Sequence, residues 1–208
     1  MWDNAYCLHE VYGEFVPFRD MLTLCREAGN ADMVYEFAST SKITFPGAGV
    51  AVMAASEANL KYLSGLLGAQ TISYDKVNQL RHVRFLQDKA HVLELMQRHA
   101  AILRPKFEAV LAALRGIAPL GIASWTEPKG GYFVSCDAMP GTAKRTLALC
   151  AGAGVTMTPA GATYPGGNDP ADSNIRIAPS FPPVEELEQA MQIFCLALRM
   201  AALERLGL

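Results

Sequence analysis

One lysine of the chain stands in a setting suited to carbonyl chemistry. Lys42 closes the run Ser-Thr-Ser-Lys that begins at Ser39, and it lies between two apolar segments, residues 33–38 and 50–53, that are typical of buried strands. A small, hydroxyl-rich turn offers hydroxyl and backbone N–H groups to an anion. We expect neighbouring apolar groups to desolvate the Lys42 ammonium in part, which favours the neutral amine. The neutral form matters because only a neutral amine attacks a carbonyl to form an imine. The pattern therefore makes Lys42 the candidate nucleophile.

Polar side chains suited to the same site occur in two other places. Asp3 and Tyr6 belong to a short polar loop at the start of the chain. Arg176 lies in an alternating segment, residues 174–178, so it should face away from Ile175 and Ile177. Each of these residues by itself is more often structural or a solvated surface group. Their occurrence together with Lys42 is what predicts a common site.

Composition and charge exclude several classes of function. The 208 residues have 18 basic and 20 acidic side chains, which are scattered and sum to a formal charge of −2. This charge pattern does not favour binding to nucleic acid or anionic lipid. Although 51% of the residues are hydrophobic, no uninterrupted apolar stretch reaches the roughly 18 residues of a membrane span. The first residues also lack a secretory signal, so we expect a cytoplasmic protein without a membrane segment.

The cysteines and histidines do not indicate a metal or disulfide framework. The five cysteines are odd in number and contain no Cys-x-x-Cys pair, so they are expected to be reduced thiols packed as small hydrophobic groups. The four histidines show no metal-ligand spacing with them, and no metal site is predicted.

The periodicity of apolar residues predicts alternating helices and strands that hold these polar groups. A long helical stretch from about residue 76 to 113 should be interrupted once, at Pro105, and Ser56 should cap the helix before it. Only two residues precede Asp3, and a stretch of two residues is too short to predict a strand there. The other predicted elements are helices over 18–27, 142–151 and 182–206, an antiparallel hairpin of residues 123–126 and 132–135, and strands over 155–158 and 174–178.

Three motifs resemble one enzyme family. Ser-Thr-Ser-Lys-Ile-Thr-Phe-Pro-Gly-Ala-Gly-Val, Asp-Lys-Val-Asn-Gln-Leu-Arg-His and Asn-Ile-Arg-Ile-Ala-Pro-Ser, in this order after Asp3, are similar to the C-terminal half of fold-type I, class I aminotransferases. The similarity is greatest to the aspartate-aminotransferase-like group related to MocR regulators. The resemblance implies a partial α/β fold of the pyridoxal-phosphate-dependent transferases. Its parts would be the end of the large cofactor domain (1–75), a long interdomain helix kinked at Pro105 (76–115) and a small α+β domain (116–208).

The resemblance also assigns roles around pyridoxal 5′-phosphate. Lys42 would form the imine with the cofactor and then move the substrate α-proton. Asp3 would pair with the pyridine nitrogen, Tyr6 would donate to the ring 3-oxygen, and Ser39 and Ser41 would hold the phosphate.

Two arginine positions bear on the rest of the site. Arg176 would bind the substrate α-carboxylate in a bidentate pair. Many class I members have a phosphate-binding arginine shortly after the lysine, where this chain has Gly49. Arg81 or Arg84 would be available for a substrate side-chain carboxylate, but ordinary surface charges are the simpler interpretation of both.

The implied function is transfer of an amino group from an amino acid, with an aspartate-like donor favoured, to a 2-oxo acid. We expect the chain to be a fragment that is not active alone, from a protein that forms a homodimer when complete. Two alternatives remain open at this point. One is the effector domain of a MocR-type regulator, and the other is a pyridoxal-phosphate-dependent lyase or decarboxylase on the same fold.

Overall fold

A computed structural model describes all 208 residues, and the chain divides into two compact units. The first contains residues 1–10 and 14–98, and the second contains residues 11–13 and 99–208. The division between Arg98 and His99 differs from the bounds at 75 and 115 expected from the sequence. The functional division into a cofactor domain and a small domain stays a prediction.

The first unit contains a mixed sheet of three strands, in the order β1 (Trp2–Asp3), β2 (Glu36–Ser39) and β3 (Ala51–Ala54). β1 is parallel to β2, with Asp3 opposite Phe37, and β3 is antiparallel to β2. The expectation that no strand fits before the Asp3 loop was wrong, because two residues suffice when the neighbouring strand supplies the hydrogen bonds. Parallel strands end at the same edge of a sheet, so Asp3 and Ser39 lie at one edge.

Four helices begin in the first unit: α1 (Met21–Glu27), α2 (Glu57–Gln70), α3 (Lys76–Leu86) and α4 (Lys89–Arg115), of which α4 continues into the second unit. Side chains cap the first three. Asp20, Ser56 and Asp75 each accept a hydrogen bond from a backbone N–H three residues further on. The predicted Ser56 cap is thereby confirmed.

The stretch predicted as one long helix is two helices, α3 and α4. The chain breaks at Gln87, whose φ of 54° lies in the left-handed region and cannot continue a helix. Asp88 then caps α4 by accepting from the His91 backbone N–H at 3.0 Å. Pro105 lies inside α4, where it removes a single backbone donor without ending the helix. The prediction of one interruption at Pro105 was therefore wrong.

The second unit contains an antiparallel sheet of β4 (Ala123–Trp125), β5 (Val134–Ala138) and β6 (Asn174–Ile177), together with α5 (Ala143–Gly152) and α6 (Val184–Leu206). The predicted hairpin of β4 and β5 is confirmed. The strand predicted over 155–158 does not form. Instead, the Val155 N–H donates to the Cys150 carbonyl at 2.8 Å, so this segment begins by closing the end of α5.

The core of the second unit lies between its sheet and the two long helices. Phe107 and Leu114 of α4 and Phe194 of α6 are fully buried. From β6, Ile175 and Ile177 enter this core, whereas Arg176 is half-buried, which confirms the predicted alternation of faces. No helix of the chain combines the length and apolar character needed to cross a bilayer.

The five cysteines are free thiols, as predicted. Three of them, Cys136, Cys150 and Cys195, are buried in the second unit. Burial raises the pKa of Cys136 to about 12 and that of Cys150 to about 11. These two thiols therefore stay protonated near neutral pH and pack as small apolar groups.

A buried carboxylate anchors the loop that leads into β6. Asp169 accepts hydrogen bonds from the backbone N–H groups of Asn174 and Ser173, both at 2.8 Å, and of Ala171 at 3.0 Å. The Asn174 amide in turn donates to the Asp137 carboxylate on β5 at 2.7 Å. These bonds fix the start of the strand that carries Arg176.

Replacing Asp169 by Asn should lower the free energy of unfolding at pH 7. The backbone N–H of Asn174, followed by that of Ser173, lowers the pKa of Asp169 because it stabilises the charged form of the carboxylate. A lowered pKa stabilises the fold fully above about pH 5, and this contribution is lost as the pH falls through the folded-state value. Urea unfolding should therefore show a gap between wild type and Asp169→Asn that narrows below about pH 4. Glu188→Gln, an exposed change on α6, is the control, and an equal gap at every pH would contradict the role of the charge.

Candidate functional site

Lys42 is presented by a compact loop between β2 and β3, residues 40–50, called here the lysine loop. The Thr40 N–H donates to the Val50 carbonyl at 2.9 Å, and the Thr44 N–H donates back to the Thr40 carbonyl at 2.8 Å. Lys42 lies within this turn, and its side chain is exposed. Because Lys42 is exposed, the expected desolvation by neighbouring apolar groups is not found within the first unit.

The Asp3 and Tyr6 loop lies beside the lysine loop. Since the Lys42 carbonyl can only accept, His9 Nε2 donates to it, at 3.1 Å. His9 is only 4% exposed, and its ring contacts the Tyr6 ring edge to face, with centroids 5.4 Å apart. Asp3 is exposed and accepts from the Ala5 N–H at 2.9 Å. The structure thus brings Asp3, Tyr6 and Lys42 to one edge of the first unit.

Gly49 approaches Ser41 so closely that a side chain has no room there. A Cβ added to Gly49 would lie 2.7 Å from Ser41 Oγ and 3.1 Å from the Ser41 backbone nitrogen. Many members of the family that the chain resembles have a phosphate-binding arginine at this position. Close packing against Ser41 disfavours a side chain here. The serine hydroxyls of Ser39 and Ser41 remain as the phosphate donors that the sequence predicts.

The groups at this edge fit pyridoxal phosphate by their chemistry. The primary amine of Lys42 suits a covalent link, the Asp3 carboxylate suits a protonated ring nitrogen, and the Tyr6 phenol suits a ring oxygen. The serine hydroxyls are neutral donors for a phosphate. The roles of the individual residues stay predictions.

Two residues of α3 that were left without a role in the sequence analysis support the lysine loop. His82 is 7% exposed, and its Nε2 lies 3.0 Å from the hydroxyls of both Thr40 and Thr44. Asn78 Nδ2 donates to the Ala48 carbonyl at 2.9 Å. In the sequence, the spacing of four residues between Asn78 and His82 indicated that both lie on one face of a helix.

Arg176 belongs to the second unit, where it is an unneutralised cation. It pairs with Ser135 across the sheet, and its guanidinium lies 4.5 Å from the centroid of the Phe133 ring. Its buried Nε has no hydrogen-bond partner, and no ion pair includes it. Arg176 lines a cavity of about 480 Å³ between the segment that follows α5 and the start of α6.

An arginine with an unused donor in a cavity of this size is suited to binding a small carboxylate. Arg176 and Lys42 lie in different units, so their use in one site stays a prediction from the sequence.

Comparison with known proteins gives consistent matches. The model of the family described as aspartate amino-transferase matches residues 1–207. An aspartate aminotransferase from Corynebacterium glutamicum is 46% identical over 205 residues, which cover 98% of this chain and 48% of that protein.

Solved structures agree with this assignment. A crystal structure of an aspartate transaminase from Corynebacterium glutamicum has a TM-score of 0.96 at 46% identity, covering 98% of this chain and 48% of that one. An α-aminoadipate aminotransferase from Thermus thermophilus, complexed with N-(5′-phosphopyridoxyl)-L-leucine, has a TM-score of 0.76 at 25% identity, covering 96% of this chain and 50% of that one. The chain thus spans about half the length of the relatives it matches. The suggested relation to MocR regulators is not shown by these matches.

Replacing Gly49 by Ala should destabilise the first unit. The new Cβ would force Ser41 to shift, and overpacking of this kind costs about 1–3 kcal/mol. Gly65→Ala is the matched control, because a Cβ at Gly65 of α2 meets nothing within 4 Å and should stabilise the helix by about 0.5–1 kcal/mol. Urea unfolding of both variants should give changes of opposite sign. Stabilisation by Gly49→Ala would show that the lysine loop has room for a side chain.

Proposed function

The chain belongs to the aspartate amino-transferase family, and on this premise we propose that it provides the lysine of a pyridoxal-phosphate site. The protein that contains it would transfer amino groups between amino acids and 2-oxo acids. The observation that carries the proposal is the position of Lys42 in a hydrogen-bonded loop beside Asp3 and Tyr6, at the edge where two parallel strands end. Ligands commonly bind outside the carboxyl ends of such strands.

Lys42 is proposed to hold the cofactor covalently and to serve as the acid and base for the substrate α-proton. Its exposed side chain can reach a bound molecule, while its backbone carbonyl is fixed by His9 Nε2 at 3.1 Å. When bound, the cofactor supplies an electron sink for the carbon that loses the proton. The contribution of the chain is to hold the amine at that carbon.

Asp3 and Tyr6 are proposed to orient the ring of the cofactor. A carboxylate favours the protonated form of a nearby ring nitrogen, because opposite charges attract. The phenol of Tyr6 can donate a hydrogen bond to the ring 3-oxygen. Asp3 follows a paired strand, and the Asn4 N–H that comes next donates to the Phe37 carbonyl at 2.7 Å. The backbone on both sides of the carboxylate is thereby held.

Ser39 and Ser41 are proposed to bind the phosphate without an arginine from position 49. Neutral hydroxyl donors bind a phosphate less strongly than a guanidinium does, because they carry no positive charge and cannot form its bidentate pair. The close packing of Gly49 on Ser41 supports this arrangement, because it leaves no space for an alternative side chain.

Arg176 is proposed to bind the α-carboxylate of the substrate. The planar guanidinium makes no ion pair in the second unit, so it would be available for a bidentate bond to the carboxylate. An aspartate-like amino donor is the substrate class suggested by the matched relative named aspartate aminotransferase. We also propose that the complete protein is a homodimer, which rests on the resemblance alone.

The assignment of Lys42 can be tested by trapping the cofactor. Pyridoxal phosphate followed by borohydride should attach a pyridoxyl group to the peptide that contains Lys42, because borohydride makes the covalent link irreversible. The protein should be yellow before reduction. Peptide mapping of wild type, Lys42→Ala and the control Lys61→Ala should show label in wild type and the control only. Labelling at Lys61, Lys76 or Lys89 that persists in Lys42→Ala would refute the assignment.

Replacing Arg176 should impair substrate use and leave cofactor binding unchanged. Loss of one partner of a desolvated charge pair costs about 2–5 kcal/mol, which should appear in kcat/KM for aspartate and 2-oxoglutarate when the variant is made in the complete protein that contains this chain. Arg176→Lys keeps the charge but loses the planar fork, so it should also be impaired. Arg98→Ala, at an exposed ion pair with Glu94, is the control. A variant at Arg176 that loses pyridoxal phosphate while keeping its KM would place this residue in the cofactor site or the framework.

A further inference from the structure

We infer that His82 and Asn78 of α3 are positioning residues that hold the lysine loop in its binding conformation. The inference rests on the proposed function for its purpose, and on contacts within the first unit for its geometry. His82 faces the hydroxyls of Thr40 and Thr44, and Asn78 donates to the Ala48 carbonyl. Both residues therefore act on the loop that carries Lys42.

The hydrogen-bond geometry determines the tautomer of His82. Its Nδ1 lies 2.9 Å from the Asn78 carbonyl oxygen, which can only accept, so Nδ1 carries the hydrogen. Nε2 is then an acceptor with one lone pair, and it faces the hydroxyls of Thr40 and Thr44 at 3.0 Å each. The ring therefore connects the α3 backbone on one side with the lysine loop on the other.

The two threonine hydroxyls can both be satisfied around this acceptor. The Thr44 hydroxyl has a second acceptor in the Thr40 carbonyl at 3.1 Å, whereas the only other acceptor of the Thr40 hydroxyl is the Val50 carbonyl at 3.5 Å. Thr40 is therefore the donor to His82. The same Thr40 oxygen accepts from the Val50 N–H at 2.9 Å, so it joins the first and last residues of the lysine loop.

Asn78 holds the far side of the same loop. Its amide donates to the Ala48 carbonyl at 2.9 Å, one residue before Gly49. His82 thus secures Thr40 at the start of the lysine loop, and Asn78 secures the return toward β3. Phe45 of the same loop contacts the Phe85 ring of α3, with centroids 6.2 Å apart. The bonds from His82 and Asn78 add direction to this apolar contact, because a hydrogen bond depends on its geometry.

The test uses hydrogen exchange in the full chain without cofactor. His82→Phe keeps a ring of similar size but removes the acceptor, which leaves the Thr40 hydroxyl with only a long alternative. A buried hydroxyl left without its partner destabilises the loop that carries it, so the amides of Thr44 and Val50 should exchange about tenfold faster. His82→Gln places an amide oxygen near the position of Nε2, and it should restore most of the protection.

Two further variants make the result specific. His91→Phe is the matched control, because His91 lies exposed on α4 in the same unit and should leave exchange in the lysine loop unchanged. Asn78→Ala should speed exchange of the Ala48 amide more than that of Thr44. The exchange pattern of Asn78→Ala tests the inference even if His82→Phe does not fold. Unchanged exchange at Thr44 and Val50 in His82→Phe, or equally fast exchange in His82→Gln, would overturn the inference.

The effect on the cofactor is measured separately. The rate at which borohydride fixes pyridoxal phosphate to Lys42 should fall in His82→Phe by a factor similar to the gain in exchange, and His82→Gln should recover it. Faster hydrogen exchange in the lysine loop together with an unchanged rate of borohydride fixation at Lys42 would overturn the positioning role. Absence of label on wild-type Lys42 would count against the proposed function alone, since the exchange measurement does not involve the cofactor.

Discussion

Parallel pairing of a two-residue strand with β2 is the constraint on which the candidate site depends. The Trp2 N–H donates to the Tyr35 carbonyl at 2.8 Å, and the Asn4 N–H donates to the Phe37 carbonyl at 2.7 Å. These bonds bring the residues after β1 to the edge where the lysine loop begins. A second link between this loop and Lys42 is the hydrogen bond from the buried His9 ring to the Lys42 carbonyl at 3.1 Å. A pair of strands this short needs such additional contacts to be stable.

Both units use a buried polar group to position a loop segment. In the first unit His82 links α3 to the lysine loop, and in the second Asp169 gathers the backbone N–H groups that precede β6. Such groups are costly when unpaired and directional when paired. They therefore select one loop conformation, where apolar packing alone would permit several.

The site residues themselves contrast with these satisfied supports. Lys42 is exposed, and Arg176 keeps a buried Nε that has no partner while its guanidinium lies over the Phe133 ring. A cation left without a counter-ion contributes little to folding, and such local cost is a common property of binding sites. Arg176 makes no ion pair, so its guanidinium is available for an anion. This is consistent with the proposed function.

The sequence by itself predicted the candidate site residues and many of the local elements. Lys42, Asp3 and Arg176 were proposed from residue type and order, the Ser56 cap was predicted from its place before a helix, and the orientation of Arg176 away from Ile175 and Ile177 was predicted from their alternation. These features depend on neighbours within a few residues. Tertiary structure decided the strand Trp2–Asp3, the break at Gln87, the closure of α5 by Val155, the exposure of Lys42 and the role of His82. His82 lies 42 residues from Thr40 in the chain, and no periodicity in the sequence reports a contact over that separation, because it forms only when the helix packs against the loop.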